Sequence, residues 1–209
     1  QYFPTTDIKN ADLLLVVHPS LPVKSVKELL ALARVKPGAL TYASSGTGTP
    51  YHMAGELFKV AAGLNLLHVP YAGAAPAMTA LMSGEVDLMF NGLSPAVPHI
   101  RSGRVRALAV GSEKRTVLFP ELPTIQEGGY EFKTGGWYGI LTPRGTPQPV
   151  VDTLLAATVK TMEQASVRAA LTKIVTEPVV GTPQGFADLI AYESAQWAKV
   201  IKSAGIKVN

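Results

Sequence analysis

The chain has 209 residues, of which 47% are hydrophobic and 16% charged, with a net charge of +4 and no cysteine. The chain is long enough and apolar enough to form the buried core of one large domain or of two small lobes, and its composition excludes an intrinsically disordered chain. The absence of thiols excludes disulfide frameworks, thiolate metal sites and cysteine nucleophiles.

The first half of the chain alternates between strand patterns and helix patterns. Residues 12–18, DLLLVVH, form a continuous apolar run that predicts a buried strand, and Ser25 is placed to cap the helix after it. Further strands are predicted at residues 40–43, 65–69, 86–90 and 105–110, each separated from the next by a helical pattern. Such alternation with short loops predicts an α/β fold with a mostly parallel sheet covered by helices on both faces.

The most distinctive stretch is TYASSGTGTPYHMAGE, residues 41–56, in which a short strand leads through a Ser/Gly/Thr loop into a helix. Pro50 suits the first helical position, and Thr49 before it is a predicted N-cap. Backbone amides, hydroxyls and the positive end of a helix dipole at such a loop bind phosphate or carboxylate. Taken alone, the loop is explained equally well as a tight strand–helix connection whose glycines serve only the turn.

Two other polar loops follow predicted strands. Residues 70–75 and residues 91–95 are rich in Gly, Pro, Ala, Asn and Ser. In open α/β sheets, ligands bind outside the carboxyl ends of the strands. Three such loops at one edge therefore predict a ligand pocket there.

The second half of the chain has a looser pattern. Residues 112–119 and 123–128 resemble short helical turns, and residues 132–142, FKTGGWYGILT, form an extended run interpreted as a return crossing between two lobes. Thr146, Ser166 and Thr182 are predicted to cap three final helices, and residues 206–208 are a predicted strand. The first of these helices carries Val151, Leu154, Leu155 and Val159 on one face, and the last carries Phe186, Leu189, Ile190, Trp197, Val200 and Ile201.

The sequence offers no set of residues with convincing catalytic or metal-binding spacing. The histidines have neither metal-ligand spacing nor accompanying carboxylates, and neither G-x-S-x-G nor a P-loop occurs. A triad of Ser45, His52 and Asp87 has no support in its spacing, and Glu56 is expected to face solvent. We therefore expect neither catalytic residues nor a cofactor nor a metal. The scattered basic residues do not indicate nucleic-acid binding.

Four segments together resemble the Bug/TctC family, the periplasmic solute-binding components of tripartite tricarboxylate transporters. They are SSGTGTPYHMAGELF, HVPYAGAAPAMTALMSGEVDLMF, LPTIQEGGYEF and GWYGILTPRGTPQPVV, in the family's order and over nearly the whole chain. The resemblance implies a periplasmic-binding-protein-like fold of two α/β lobes that binds small carboxylates through loop amides and hydroxyls, without catalysis. It also implies membrane components of the transporter as partners and a periplasmic location, although these residues include no signal peptide.

The resemblance also places the ligand-binding residues. In the first loop they are Ser44, Ser45, Gly46, Thr47, Gly48 and Thr49, with His52 just inside the helix. The second loop, after Pro70, supplies Tyr71, Ala72, Gly73 and Ala74, and the third supplies Asn91 and Ser94 together with Asp87 and Phe90. Gly136 and Trp137 belong to the return crossing. Family members commonly carry Lys at the position of Ala72, so this chain lacks a cation there.

The resemblance further predicts the domain organisation. Residues 17–132 form a complete ligand-binding lobe, whereas residues 1–16 and 133–209 supply hinge crossings and the C-terminal half of the other lobe. Chains of the family begin earlier, with a segment that completes that other lobe. We therefore expect an N-terminally truncated fragment that binds ligand weakly or not at all. Such a fragment would either self-associate through its incomplete lobe or hold that lobe in a rearranged, less ordered form.

Two other functions use similar folds. A ligand-sensing module of a regulatory system would have an attached DNA-binding or kinase segment, and these residues include none. An enzyme could use the first loop to hold a phosphorylated or carboxylated substrate, but it would need a base, a nucleophile or a metal.

Overall fold

A computed structural model describes residues 2–9, 13–134, 137–173 and 181–206, with the backbone alone for residues 2–9, 138 and 173. The chain divides into two compact units. One comprises Gln1–Ala11 and Gly135–Ala198, and the larger one comprises Asp12–Thr134 and Lys199–Asn209. The predicted lobe of residues 17–132 lies within the larger unit, whose first strand begins at Leu13.

The larger unit is built on a five-stranded mixed sheet. Its strands are β2 (Leu13–Val17), β3 (Thr41–Ser44), β4 (Leu67–Pro70), β5 (Leu88–Gly92) and β6 (Arg106–Val110), arranged in the order β4-β3-β5-β2-β6. β3 is parallel to β4 and β5, whereas β2 is antiparallel to both β5 and β6. The α/β class is confirmed, and β2 is the exception to the common strand direction. All five β2 residues are buried, and a continuously apolar run does not encode direction.

The helices of this unit are α1 (Val26–Val35), α2 (Pro50–Ala62), α3 (Ala74–Ser83) and α4 (Leu93–Arg101), of which α2, α3 and α4 pack on the sheet. Ser25 caps α1 as predicted, because its side chain accepts a 3.2 Å hydrogen bond from the Glu28 amide. None of the helices in the described part of the chain is both long enough and apolar enough to cross a membrane.

The predicted third loop, residues 91–95, does not exist as a loop. Asn91 and Gly92 pair with β2 as the last residues of β5, and α4 begins immediately at Leu93. Pro95 indicated a loop in the sequence, but it lies in the first turn of α4. A helix accepts proline there because the N–H that proline lacks would have no intrahelical partner.

The connection after β6 is also less helical than predicted. Residues 112–119 form bends and turns rather than a helical turn. Val117 in this stretch is 90% exposed, so no buried apolar face holds a helix here. Within residues 123–128, Gln126–Gly128 does form a single 3₁₀ turn.

The core of the larger unit contains a cluster of three aromatic rings. The Phe90 and Phe132 rings stack at 5.4 Å, and Phe58 from α2 meets both edge-on. Phe90 is fully buried, so it supports the fold and is not available to a ligand.

The other unit contains a two-stranded antiparallel sheet of β1 (Tyr2–Lys9) and β7 (Trp137–Pro143). Its helices are α5 (Gln148–Glu163), α6 (Ala165–Lys173) and α7 (Pro183–Ala204). Residues 199–204 at the end of α7 belong to the larger unit. The Trp137 indole donates a 2.9 Å hydrogen bond to Glu193 and meets the Phe186 ring edge-on at 4.8 Å. Trp137 therefore links the start of β7 to α7.

Only one of the three predicted caps in this unit is formed as expected. Thr182 caps α7, since its hydroxyl accepts a 3.0 Å hydrogen bond from the Gly185 amide. The Thr146 hydroxyl instead donates to the Pro143 carbonyl at 2.8 Å, and α5 begins two residues later. Ser166 lies inside α6, which begins at Ala165. Most of the predicted strand at residues 206–208 lies outside the described residues, as does Gly136.

The apolar face of α5 is only partly covered. Val151 is buried and Leu155 is half-buried. Val150, Leu154 and Val159 are 47%, 37% and 36% exposed, respectively. Val150 and Leu154 lie one turn apart, so they form one small exposed apolar surface, and exposed apolar patches often mark interfaces.

Gly55, in the middle of α2, leads to a prediction about stability. A Cβ at this position would lie 2.3 Å from the Tyr42 ring, which is fully buried and cannot move aside. Helix propensity alone would favour alanine. We expect Gly55→Ala to lower the free energy of unfolding by about 1–3 kcal/mol, because overpacking outweighs propensity. Urea unfolding measures the change.

Gly128→Ala provides the matched control. An added Cβ there meets only the Tyr130 ring, at an ordinary 3.6 Å, so stability should be almost unchanged. If Gly55→Ala were as stable as the parent chain, the close packing of Tyr42 on α2 would not be a constraint.

Candidate functional site

Three helices begin at one edge of the five-stranded sheet. Strands β4, β3 and β5 are neighbours that run in the same direction, and each is followed within a few residues by α3, α2 and α4, respectively. The N-termini of the three helices therefore lie at the carboxyl edge of these strands. The connecting residues include no lysine or arginine. Helix dipoles and unbonded first-turn amides make this edge electropositive without a charged side chain.

The first loop is held by hydrogen bonds to one carbonyl. Gly46 O accepts from the Thr49 amide at 3.3 Å and from the Thr49 hydroxyl at 2.7 Å. Thr49 is the N-cap residue of α2, as predicted, but its hydroxyl is used within the loop and makes no side-chain capping bond to the helix. Gly46 and Gly48 have φ angles of 122° and 79°, which side-chain-bearing residues adopt rarely.

This arrangement leaves several amides of the loop and of the first turn of α2 available. Among the residues that the structure describes, the amides of Ser45, Thr47, Tyr51 and His52 donate to no protein acceptor. Thr47 is exposed and Ser45 is half-buried, so solvent reaches this point. An anion placed here would receive amide hydrogen bonds and the α2 dipole together.

The second loop is joined to the first. The Tyr71 amide donates a 3.0 Å hydrogen bond to the Ser44 carbonyl, and Gly73 precedes α3 with a φ angle of 126°. Ala72 is exposed and Ala74 half-buried at the start of α3. The Tyr71 hydroxyl donates to Glu85, which follows the C-terminal end of α3, so it is directed away from the loops.

At the third connection, a tyrosine from α2 contacts β5. The Tyr51 hydroxyl would lie 3.3 Å from a Cβ at Gly92, so a side chain there would require the tyrosine to shift by a few tenths of an ångström. Asn91 is buried, and its Oδ1 accepts a 2.8 Å hydrogen bond from the Gly92 amide. Ser94 is half-buried in the first turn of α4. Tyr51 was not among the predicted ligand residues. Its position in the first helical turn after the loop is the sequence feature that could have indicated it.

Asp87 does not reach this edge. It precedes β5, and its carboxylate accepts from the Thr41 amide at 2.7 Å and from the Thr41 hydroxyl at 3.0 Å, at the start of β3. It therefore lies at the opposite edge of the sheet, and the structure does not bring Ser45, His52 and Asp87 together. Asp87 instead ties the beginnings of β3 and β5 to each other.

A different serine and histidine do meet. Ser44 Oγ lies 2.6 Å from His68 Nε2, but Ser44 is fully buried, so its hydroxyl has no access to a substrate. Within the described part of the chain, no group of three or more His, Cys, Asp or Glu side chains is placed to hold a metal ion.

Beneath the first loop lies a cluster of polar side chains, which we call the histidine cluster: Tyr42, His52, Glu56, Lys59 and His68. The His52 and His68 rings stack at 4.0 Å, and the Tyr42 ring stacks on His68 at 4.8 Å. Glu56 is only 4% exposed, contrary to the expectation that it faces solvent. The Tyr42 hydroxyl and the Lys59 ammonium, at 2.8 Å from Glu56 Oε1, donate the hydrogen bonds that water would otherwise supply.

The two histidines are held neutral. Burial lowers the pKa of His52, outweighing the opposing attraction of Glu56. Burial lowers the pKa of His68 to about 4, and the neighbouring His52 contributes to the same effect. Burial also raises the pKa of Tyr42, with its hydrogen bond to Glu56 acting in the same direction. At neutral pH the cluster therefore holds one carboxylate and one ammonium, and no net charge.

Residues 3–206 match the sequence profile of the tripartite tricarboxylate transporter family receptor, TctC. The chain belongs to this family. It is 38% identical to the UPF0065 protein in the tcbD-tcbE intergenic region of Pseudomonas sp. (strain P51), over 94% of this chain and 59% of that protein. It is 32% identical to protein BugT of Bordetella pertussis, over 99% of this chain and 64% of BugT. The chain thus spans about three fifths of the length of these curated relatives.

Solved structures of TctC relatives share the fold. The R. palustris protein Rpa4515, with adipate, superposes with a TM-score of 0.84 at 37% identity, covering 98% of this chain and 69% of that one. The periplasmic binding protein BugD gives 0.82 at 31% identity, with coverage of 99% and 70%. MatC from Rhodopseudomonas palustris, with malate, gives 0.79 at 29% identity, with coverage of 96% and 69%. The TctC family consists of periplasmic solute-binding proteins, which are not enzymes.

The lowered histidine pKa values predict how stability depends on pH. The unfolded chain takes up these protons near pH 6.5, whereas the folded chain takes them up at lower pH. The contribution to stability is therefore present above pH 6.5 and is lost as the pH falls below it. We expect the free energy of unfolding to fall between pH 6.5 and 5, by at most about 1.4 kcal/mol per pH unit for each histidine.

Urea unfolding at pH 8, 6.5, 5.7 and 5 measures this dependence. His68→Gln, whose amide replaces Nε2 opposite Ser44, should reduce the slope. The ion pair of Arg115 and Glu127 does not interfere, because hydrogen bonds from Arg115 lower the pKa of Glu127 to about 2. Stability that stays constant or rises as the pH falls through this window would contradict neutral buried histidines.

Proposed function

We propose that this TctC chain binds a small carboxylate at the carboxyl edge of β4, β3 and β5. The observation that carries the proposal is the convergence of three helix N-termini on one edge, with available amides in the Ser44–Thr49 loop. A carboxylate is the anion class that the relatives support, since Rpa4515 was solved with adipate and MatC with malate.

The binding site in this proposal uses neutral groups. The ligand carboxylate accepts hydrogen bonds from the amides of Ser45 and Thr47, with the hydroxyls of Thr47 and Ser94 as further donors. A hydrogen bond to a charged group contributes about 1.5–3 kcal/mol. Three or four of them supply about 5–12 kcal/mol before the entropic cost of binding, and a micromolar dissociation constant corresponds to about 8 kcal/mol.

The wider role that we propose is capture of the carboxylate in the periplasm and its delivery to the membrane components of a tripartite transporter. The family name of the receptor supports this role. A direct test is deletion of the gene followed by measurement of carboxylate uptake in whole cells. Loss of uptake of one carboxylate with normal uptake of others would support the role, and unchanged uptake of every carboxylate tested would contradict it.

Gly48 tests the contribution of the loop. A Cβ at this position meets nothing within 4 Å, so the positive φ of 79° is the only barrier to a side chain. We expect Gly48→Val to distort the loop and to weaken adipate or malate binding by about tenfold or more, as expected for the loss of one amide bond to a charged group. Titration calorimetry, or NMR titration where binding is weak, measures the change.

Gly63→Val is the matched control for this experiment. Gly63 ends α2 at the opposite end from the loop, with a φ of 62° and equally open surroundings. Both substitutions impose the same kind of backbone penalty, but only the one at Gly48 should change affinity. Equal affinity in the two variants would exclude the first loop from the binding site.

Ala72 tests the electrostatic character of the site. The family resemblance implies a lysine at this position in many relatives, whereas here Ala72 is exposed just before α3. We expect Ala72→Lys to strengthen binding of adipate by about two- to fivefold at low ionic strength, with the gain shrinking in 0.5 M salt. Ala39→Lys, which places the same charge before β3 at the other edge of the sheet, should leave affinity unchanged. A salt-independent gain, or none, would contradict a solvent-accessible anion site at α3.

We also propose that the chain self-associates through the exposed apolar residues Val150 and Leu154, which lie one turn apart on α5. Apolar surface left in water costs roughly 25 cal/mol per Å². We expect the weight-average mass in light scattering to rise with concentration, and Leu154→Glu to reduce that rise. Thr153→Glu, on an exposed residue of the same helix, is the control. A monomeric mass at every concentration would contradict the proposal.

A further inference from the structure

We propose that His52 is a positioning residue that couples the ligand loop to pH: its unprotonated Nδ1 holds the Gly48 amide in place, and protonation of His52 releases it. This inference rests on the proposed carboxylate site and assigns His52 a role other than direct ligand contact. It predicts that the site weakens when His52 acquires a positive charge, although the ligand is an anion.

The geometry fixes the protonation state of the ring. The Gly48 amide donates a 3.0 Å hydrogen bond to His52 Nδ1. A backbone N–H can only donate, so Nδ1 carries no proton, and the neutral ring carries its proton on Nε2. An imidazolium has a proton on both nitrogens, and its Nδ1–H would point at the Gly48 N–H. The hydrogen bond and the protonated ring are therefore mutually exclusive.

The burial of His52 makes a direct role in ligand binding unfavourable. The residue is only 4% exposed, beneath the loop, and its ring stacks on His68 at 4.0 Å. Among the described residues, its hydrogen bond to the loop is the one from Gly48, which lies between Thr47 and Thr49. Release of Gly48 therefore alters the orientation of the neighbouring Thr47 amide, which is one of the available donors.

The groups around the two imidazoles determine how protonation proceeds. α2 contributes Glu56, 3.8 Å from His52 Nε2, and Lys59, which is bound to Glu56; β3 contributes Tyr42, and β4 contributes His68. The helix α3, which packs on β3, contains no ionisable residue. Lys59 offsets the attraction of Glu56, and two stacked rings disfavour double protonation. Burial accordingly lowers the pKa of both histidines, and the coupling acts below neutral pH.

The sign of the pH dependence separates two roles for His52. If His52 contacted the ligand directly, its positive charge would strengthen anion binding as the pH falls. If it positions Gly48, the same proton weakens binding. The carboxyl groups of the ligand also titrate and change the affinity. The wild-type affinity is therefore compared, at each pH, with that of a variant that binds the same ligand but has no titrating group at position 52.

His52→Asn provides that variant. The asparagine Oδ1 occupies a place similar to Nδ1 and accepts the Gly48 bond, but it does not titrate. NMR titration with adipate and with malate at pH 7.5, 6.5, 5.5 and 5 gives the affinity of each protein. We expect the ratio of wild-type to His52→Asn affinity to be near one at pH 7.5 and to fall about two- to fourfold towards pH 5.

Three further measurements complete the test. In the wild-type protein without ligand, the Gly48 amide signal should titrate with the same midpoint as the His52 ring, and in His52→Asn it should not titrate. His52→Leu, which removes the acceptor, should weaken binding at every pH. His99→Asn, in the last turn of α4, should behave as wild type.

The outcomes distinguish failure of the inference from failure of the proposed function. If neither carboxylate shifts any loop signal at any pH, the proposed function fails, while the shared midpoint of Gly48 and His52 remains readable. If carboxylates bind but the ratio stays constant or rises as the pH falls, the positioning role is overturned. A Gly48 signal that is independent of the His52 midpoint would falsify it as well.

Discussion

The hydrogen bond from Tyr42 to the buried carboxylate of Glu56 is the interaction on which the loop edge depends. It requires the Tyr42 ring to lie directly against α2, and that approach is possible only because residue 55 is glycine. The same ring stacks on His68, which stacks in turn on His52. His52 accepts from Gly48, and His68 contacts Ser44. The shape of the exposed loop is thus set from below, by side chains that belong to β3, α2 and β4.

The charge arrangement of the histidine cluster suits an anion site. A buried carboxylate close beneath the loop would repel a negatively charged ligand, but Lys59 offsets the charge of Glu56 within 2.8 Å. The histidines stay neutral because burial penalises their charged forms. The field at the carboxyl edge is therefore that of amides and helix dipoles, which fall off within about one helical turn. Such a site attracts an anion at short range and selects it by the direction of its hydrogen-bond donors.

Local patterns in the sequence predicted the parts of the fold that local chemistry controls. The α1 face, the capping of α1 by Ser25 and the succession of strands and helices follow from periodicity and caps, and the structure has them. Long-range partners decided the rest. From the sequence, Glu56 was predicted to face solvent. That prediction was wrong because the burial of Glu56 depends on Tyr42, which is 14 positions away in the chain. Pro95 reads as a loop residue, because proline is equally compatible with a turn and with a first helical turn. The direction of β2 has no local signal, and neither has the contact between Tyr51 and Gly92.

The division between buried and exposed residues at this edge separates two tasks. Ser44, His52 and Asn91 are buried and hold the three connections in place, so a change in any of them alters the whole edge. Thr47 and Ala72 are exposed, and Ser45 and Ser94 are half-buried, so they can change without disturbing the core. In the proposed site, a carboxylate is recognised by backbone amides, which every residue type except proline has. Discrimination between one carboxylate and another must then come from the side chains that are free to vary, and among the described residues of this edge those are the exposed and half-buried ones.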